Sequence, residues 1–235
     1  FDPEAPEEHF RSVLWRINVD ADDQGRGIGR FAVENPGTGE VEAELLQASD
    51  ADLDHAVEVA RRAQKEWAKV SLAKRTAIMF RMRQLVLDHQ DEMAKMIVAE
   101  HGKNYSDAVG EIQRGRETLD FATAINLALK GEHSFDISTG VDIHTIRQPV
   151  GVVAGIAPFN FPVMVPLAMT AMAVATGNAV ILKPSERDPS VPVRLAELML
   201  EAGAPNGVLN VVHGDKTAVD AILTHPLVHA VSFVG

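Results

Sequence analysis

The chain has 235 residues, a formal net charge of −11 and no cysteine, with 46% hydrophobic and 23% charged side chains. This is an ordinary globular composition, long enough for one large domain or two small ones. The acidic balance disfavours nucleic acid as a partner, and the missing cysteines exclude disulfides, thiolate metal sites and a cysteine nucleophile within these residues.

Residues 1–30 are acidic, weakly periodic and free of an apolar signal-like core, and read as an arm with one candidate strand, "VLWRINV" (13–19). "GRGIG" (25–29) invites comparison with a phosphate loop, but that fingerprint needs a strand before it and a helix after it. The next segment, "RFAVENPGTGE", reads instead as a short strand and a Pro-Gly turn. Residues 49–130 read as helices. Ser49 with Asp52 makes a capping box, and Leu53, Ala56, Val57, Ala60, Ala63 and Trp67 share one face. Ser71 opens a second helix, which makes "SLAK" a cap rather than a catalytic Ser-Lys pair. A third helix ends near Gly102 and a fourth starts near Ser106.

The period then changes. "VDIHTIRQ" (141–148) alternates like an exposed strand. From Pro149 onward, strands at 150–156, 178–183, 207–212 and 229–235 alternate with helices at 162–175, 190–202 and 215–224. Strands that are apolar on both faces and joined by helices predict a covered parallel sheet. The fold class is α/β, Rossmann-like, with an N-terminal helical layer. The apolar stretch 161–182 is interrupted by Pro162, Pro166, Gly177 and Asn178, too broken for a membrane span.

Ligands of such sheets bind at the carboxyl ends of the strands. Those ends carry "APFNFP" (157–162), "KPSER" (183–187), "HGD" (213–215) and "VG" (234–235). Asn160, held between prolines, suits an oxyanion donor, or it satisfies loop carbonyls. Lys183 and Glu186 suit ribose hydroxyls, or they belong to a helix-capping loop. "HPLVH" (225–229) has the spacing of a helical zinc pair, but Pro226 breaks the helix and no third ligand is near, so no metal is expected.

Together these motifs resemble the NAD(P)-dependent aldehyde dehydrogenase superfamily from about residue 31 to 235, helped by "NPGTGE" and "RQPVG". Singly they are weak; four in order at strand ends are specific. "EIQRGRE", "STGVDIHTIRQPVG", "PSERDPS" and "HGDKTAVDAIL" resemble the CoA-acylating methylmalonate-semialdehyde dehydrogenase branch. The resemblance implies an arm (1–30), a helical part of the cofactor domain (31–141), a strand of a bridging or oligomerisation element (142–149) and an NAD-binding part (150–235). It implies that Asn160 donates to the oxyanion and that Ala157 and Phe159 line the cofactor cleft. Lys183, Glu186 and Arg187 would meet the adenosine ribose, Gly214 the adenosine, and Gly235 the pyrophosphate. Arg114 would read the substrate carboxylate, or else make a helix-surface ion pair.

The implied chemistry is oxidation of a small semialdehyde, methylmalonate or malonate semialdehyde, through a cysteine thioester released to CoA or to water. Here the sequence departs from the family: the nucleophile, the general base and the catalytic domain are expected beyond residue 235. The chain therefore reads as the N-terminal half of such an enzyme: a truncated product, one piece of a split chain or part of a longer one. The alternatives are a non-catalytic NAD-binding or subunit-pairing module, and a succinate-semialdehyde branch. Glu186 favours NAD by repelling a 2′-phosphate; Arg187 beside it leaves NADP open. When complete, a cytoplasmic homo-oligomer, dimer or tetramer, is expected, with the mitochondrial matrix as the other location and neither membrane nor nucleic acid as partner.

Overall fold

The first described element is an antiparallel hairpin of β1 (Gly29–Glu34) and β2 (Val41–Gln47), which buries Val33 and Leu45. The structure is a computed structural model that describes residues 29–235. The arm, the strand expected at 13–19 and most of "GRGIG" lie outside the described residues. Asn35 closes the hairpin turn: its side chain accepts the Gly37 N–H at 2.9 Å and its carbonyl accepts the Gly39 N–H at 2.7 Å. The second strand, "VEAELLQ", was not expected; with alternation this weak, pairing to β1 decides its conformation.

Four main helices come next. In α1 (Asp50–Trp67) the capping box forms as read: Ser49 Oγ accepts from the Asp52 N–H at 3.2 Å, and the Asp52 carboxylate accepts from the Ser49 N–H at 2.8 Å. Ser71 caps α2 (Leu72–Asp88), and Lys74 is exposed. Next, α3 (Gln90–His101) ends at Gly102, whose φ of 76° only glycine adopts cheaply. Then α4 (Tyr105–Thr123) is capped by Asn104, two residues before the expected Ser106, and leads into a short α5 (Ile125–Ala128). Beyond it, the expected exposed strand is one arm of a hairpin, β3 (His133–Ser138) with β4 (Val141–His144), so β4 stops before the expected 148. Every residue of these two strands is exposed, Phe135 by 80%.

The rest is a four-stranded parallel sheet in the order β7-β6-β5-β8. Its chain runs β5 (Val152–Ile156), α6 (Met164–Ala175), β6 (Ala179–Lys183), α7 (Ser190–Glu201), β7 (Leu209–Val211), α8 (Lys216–Thr224) and β8 (Val228–Phe233). Side chains alternate between two cores. Val180 and Leu182 of β6 join α2, α3, α4, α6 and α7; Ala179 and Ile181 join α1 and α8. All five β6 residues are buried, each large aliphatic side chain contributing about 1.5–3 kcal/mol.

Polar anchors lock these layers. Trp67 Nε1 donates to the Val174 carbonyl at 2.8 Å, fastening α1 to the end of α6. Asn178 Oδ1 accepts the N–H groups of Val150 and Gly151 at 2.8 and 3.1 Å, while its Nδ2 donates to the Ala173 carbonyl at 3.2 Å and to Thr176 Oγ1 at 2.8 Å. At Gly115 of α4 a Cβ would come within 3.0–3.3 Å of Leu167, Val163 and Met164, so α4 and the start of α6 cross closely enough that a side chain there would have to push its neighbours aside.

Candidate functional site

The carboxyl ends of β5, β6 and β7 open on one edge of the sheet, and the loops leaving them hold most of the expected site residues. Lys183 is the last residue of β6, and its carbonyl accepts the Ala157 N–H at 3.0 Å, which extends the β5–β6 pairing into the loop. Its side chain is 5% exposed, donates to the Gly214 carbonyl at 2.9 Å and lies 3.5 Å from a Glu186 carboxylate oxygen. Burial lowers the Lys183 pKa, and the charges of Glu186 and Asp215 oppose that shift. The glycine at 214 is a steric requirement, because a Cβ there would sit 2.4 Å from the Ala218 Cβ in the first turn of α8.

The loop after β5 is held differently. Phe159 has two ring partners: the His101 ring stacks at 6.1 Å between centroids and 30° between planes, and the Arg187 guanidinium carbon stands 4.8 Å from the Phe159 centroid. Asn160 is exposed, and its carbonyl accepts from Lys103 Nζ at 2.9 Å. Lys103 also lies 4.6 Å over the Phe161 ring and 2.5 Å from Glu111 Oε2. The other Glu111 oxygen accepts the N–H groups of Val163 and Met164 at 2.8 and 3.3 Å, so a carboxylate of α4 caps α6.

A cavity of about 510 Å³ adjoins this edge, walled by Phe31, Glu100, Phe159, Glu186, Arg187 and Asp188 among others. Glu100 reaches from the end of α3 to the start of α7, taking the Ser190 N–H at 3.1 Å and the Ser190 hydroxyl. Asp188 is 1% exposed, and among the described residues its carboxylate oxygens have no hydrogen-bond partner. Burial, reinforced by the charges of Glu100 and Glu111, pushes its pKa up to about 8. His213 is also buried with both ring nitrogens unpartnered among the described residues; burial and then Lys183 push its pKa down to about 3, so it is neutral.

Ala157, Phe159, Asn160, Lys183, Glu186, Arg187 and Gly214 thus gather at one edge. Gly235 is exposed just past β8, which pairs with β5 and so ends at the same edge. Arg114 is exposed on α4, one turn beyond Glu111, outside the strand-end loops. Sequence reasoning gave no role to Lys103, Glu111, Glu100, His101, Asp188 or His213. Four of them sit on α3, α4 or their junction, and three of these, Lys103, Glu111 and Glu100, bond to the sheet loops across 52 to 90 residues of chain; no local period marks such pairs.

The aldehyde dehydrogenase family model matches residues 23–235, across all the strand-end loops just described. The chain belongs to the aldehyde dehydrogenase family. The malonate-semialdehyde dehydrogenase 2 of Oceanobacillus iheyensis is 49% identical over 203 residues, which is 86% of this chain and 42% of that relative. The crystal structure of the methylmalonate-semialdehyde dehydrogenase of Oceanimonas doudoroffii superposes with a TM-score of 0.88 at 46% identity, over 95% of this chain and 44% of that one. A Sinorhizobium meliloti structure of a methylmalonate-semialdehyde dehydrogenase-like protein, complexed with NAD, gives 0.88 at 51% identity over the same shares. The chain spans less than half the length of these relatives. Its parallel sheet and covering helices match the cofactor-binding fold of the family.

Proposed function

We propose that residues 1–235 supply the cofactor-binding portion of an NAD-dependent semialdehyde dehydrogenase acting on methylmalonate or malonate semialdehyde. The observation that carries this reading is the pairing, at one sheet edge, of a buried ammonium and a carboxylate (Lys183 and Glu186) with an exposed loop asparagine, Asn160. A ribose diol needs a donor and an acceptor side by side, and Lys183 with Glu186 provides both, so the residues present fit the adenosine ribose of NAD. Ala157 and Phe159 line the cleft, Arg187 and Gly214 stand at the adenosine end, and Gly235 at the pyrophosphate. NAD held there would supply the hydride acceptor.

The other steps fall to protein groups. A thiolate from the portion of the family beyond these residues adds to the aldehyde carbon. Asn160 holds the resulting oxyanion through its amide, worth about 10²–10³ in rate for a single such donor. Arg114 pairs with the substrate carboxylate. The thioester is released to CoA, or to water as the hydrolytic variant. Residues 31–141 serve as the helical part of the cofactor domain and 150–235 as its NAD-binding part, and residues 142–149, which begin in β4 (Val141–His144), belong to the bridging element of a cytoplasmic dimer or tetramer.

The test pairs this chain with a cysteine-bearing family portion and follows NADH formation from malonate semialdehyde, with and without CoA. NADH that appears only with the cysteine and falls at least a hundredfold in Asn160→Ala is the expected result; equal turnover in Asn160→Ala refutes the assignment. The absence of cysteine from residues 1–235 favours a second reading for them alone, a module that binds NAD without oxidising anything. NADH fluorescence that does not change on mixing with the chain removes that one.

A further inference from the structure

The loop that carries Asn160 cannot be fixed by a sheet ladder. Pro158 and Pro162 bring no N–H, and the asparagine side chain is exposed, so its direction is inherited from the backbone. We propose that Lys103 and Glu111 are positioning residues for the Asn160 amide, forming a charged brace that fixes the loop from both sides. This rests on the reading of Asn160 as the oxyanion donor.

Lys103 holds the loop at its centre, through the Asn160 carbonyl at 2.9 Å and the face of Phe161 at 4.6 Å. Glu111 holds the far end, through the N–H groups of Val163 and Met164. The two are joined to each other at 2.5 Å. Their side chains are 12% and 2% exposed, so the pair is shielded from water, where charge-assisted hydrogen bonds are stiffest. Each partner satisfies the other: without Lys103 the Glu111 carboxylate is a buried charge facing only a helix start, and without the Glu111 charge the ammonium has no reason to stay under the loop. Gly115 lets α4 approach closely enough for Glu111 to reach α6. Among the described residues no hydrogen bond or ion pair joins the brace to Lys183 or Glu186, so it separates aim at the reacting carbon from grip on the cofactor. A misplacement of about 1 Å in a catalytic donor can cost on the order of 10²-fold in rate.

The test compares Lys103→Met, Lys103→Arg, Glu111→Gln and Asn160→Ala in the enzyme assembled with the cysteine-bearing portion, and follows hydrogen exchange in the same assembled variants. Lys103→Met is expected to lower kcat about tenfold or more and to leave KM for NAD within about twofold. Lys103→Arg, which keeps a charged donor, restores most of the loss. Glu111→Gln, which keeps the shape, is expected to speed exchange at Val163 and Met164, as is Lys103→Met. An unchanged kcat in Lys103→Met, where Asn160→Ala lowers it, overturns the inference. So does an equal loss in Lys103→Met and Lys103→Arg with exchange raised throughout the chain, which is the signature of general packing damage. If Asn160→Ala keeps full turnover, the reading beneath the inference falls instead.

Discussion

Asp188→Asn should change how stability depends on pH, in a direction set by two buried groups. The Asp188 pKa is raised from 3.8 to about 8, chiefly by burial, and that of His213 is lowered from 6.5 to about 3, again chiefly by burial. Between about pH 4 and 8 the folded chain keeps a proton on Asp188 that the unfolded chain has released. Stability then falls as pH rises, by about 1.4 kcal/mol per pH unit. Between about pH 3 and 6.5 the unfolded chain binds a proton at His213 that the folded chain refuses, so stability falls as pH falls, with the same slope. The two slopes cancel between about pH 4 and 6.5, and only the Asp188 slope remains above that. At pH 7 the burial of Asp188 costs at most about 4 kcal/mol. Glu100, whose carboxyl is also raised by burial, tilts the same way as Asp188 and is common to both proteins. Urea denaturation from about pH 4 to 8.5, followed by far-UV circular dichroism, should find Asp188→Asn more stable by a few kcal/mol near pH 7. The advantage of the variant over the parent should shrink by about 1.4 kcal/mol per unit on acidification from about pH 8 to pH 4. Parallel curves for the two proteins would refute the reasoning.

Other substitutions test the packing and the site. Gly214→Ala drives a Cβ against Ala218 and displaces the carbonyl that Lys183 holds; it should cost about 1–3 kcal/mol, checked by denaturation, and weaken NADH binding by titration. Trp67→Phe removes the buried donor to Val174 and some core volume, for a loss of about 1–3 kcal/mol measured by calorimetry. Lys183→Ala should raise the NADH dissociation constant about tenfold or more, while the far-UV spectrum stays unchanged. Phe135, Ile137, Ile143 and Phe233 expose large apolar surfaces, so the chain should self-associate in sizing experiments at rising concentration; a single monomer peak throughout would contradict that.

The alternation of strands and helices after residue 150 was legible because each step is local: β-branched runs, punctuating glycines and helical spacing lie within one element. The caps at Ser49 and Ser71 and the stop at Gly102 were legible for the same reason, since a cap and its partner stand within about one turn. The hairpin β3–β4 was half read: its second arm was named from alternation, while its first, "HSFDIS", which alternates as well at Phe135 and Ile137, was passed over. Lys183, Glu186, Asn160 and Gly214 could be named from strand ends and family motifs. Lys103 and Glu111 could not, because a lysine after a glycine cap and a glutamate in a helix look like ordinary surface charges until the loop they serve is folded against them.

Two helices of the sheet owe their beginnings to carboxylates that arrive from elsewhere: Glu111 at the start of α6 and Glu100 at the start of α7. Neither start has a capping side chain of its own. The sheet and the helical layer are therefore one cooperative unit. A segment cut at residue 150 would keep every strand of the parallel sheet, yet would leave both helix starts open and take α1 from one core and α2, α3 and α4 from the other. Residues 150–235 cannot be handled as an exchangeable nucleotide-binding cassette, and any recombination that respects this fold must carry α3 and α4 along with the sheet.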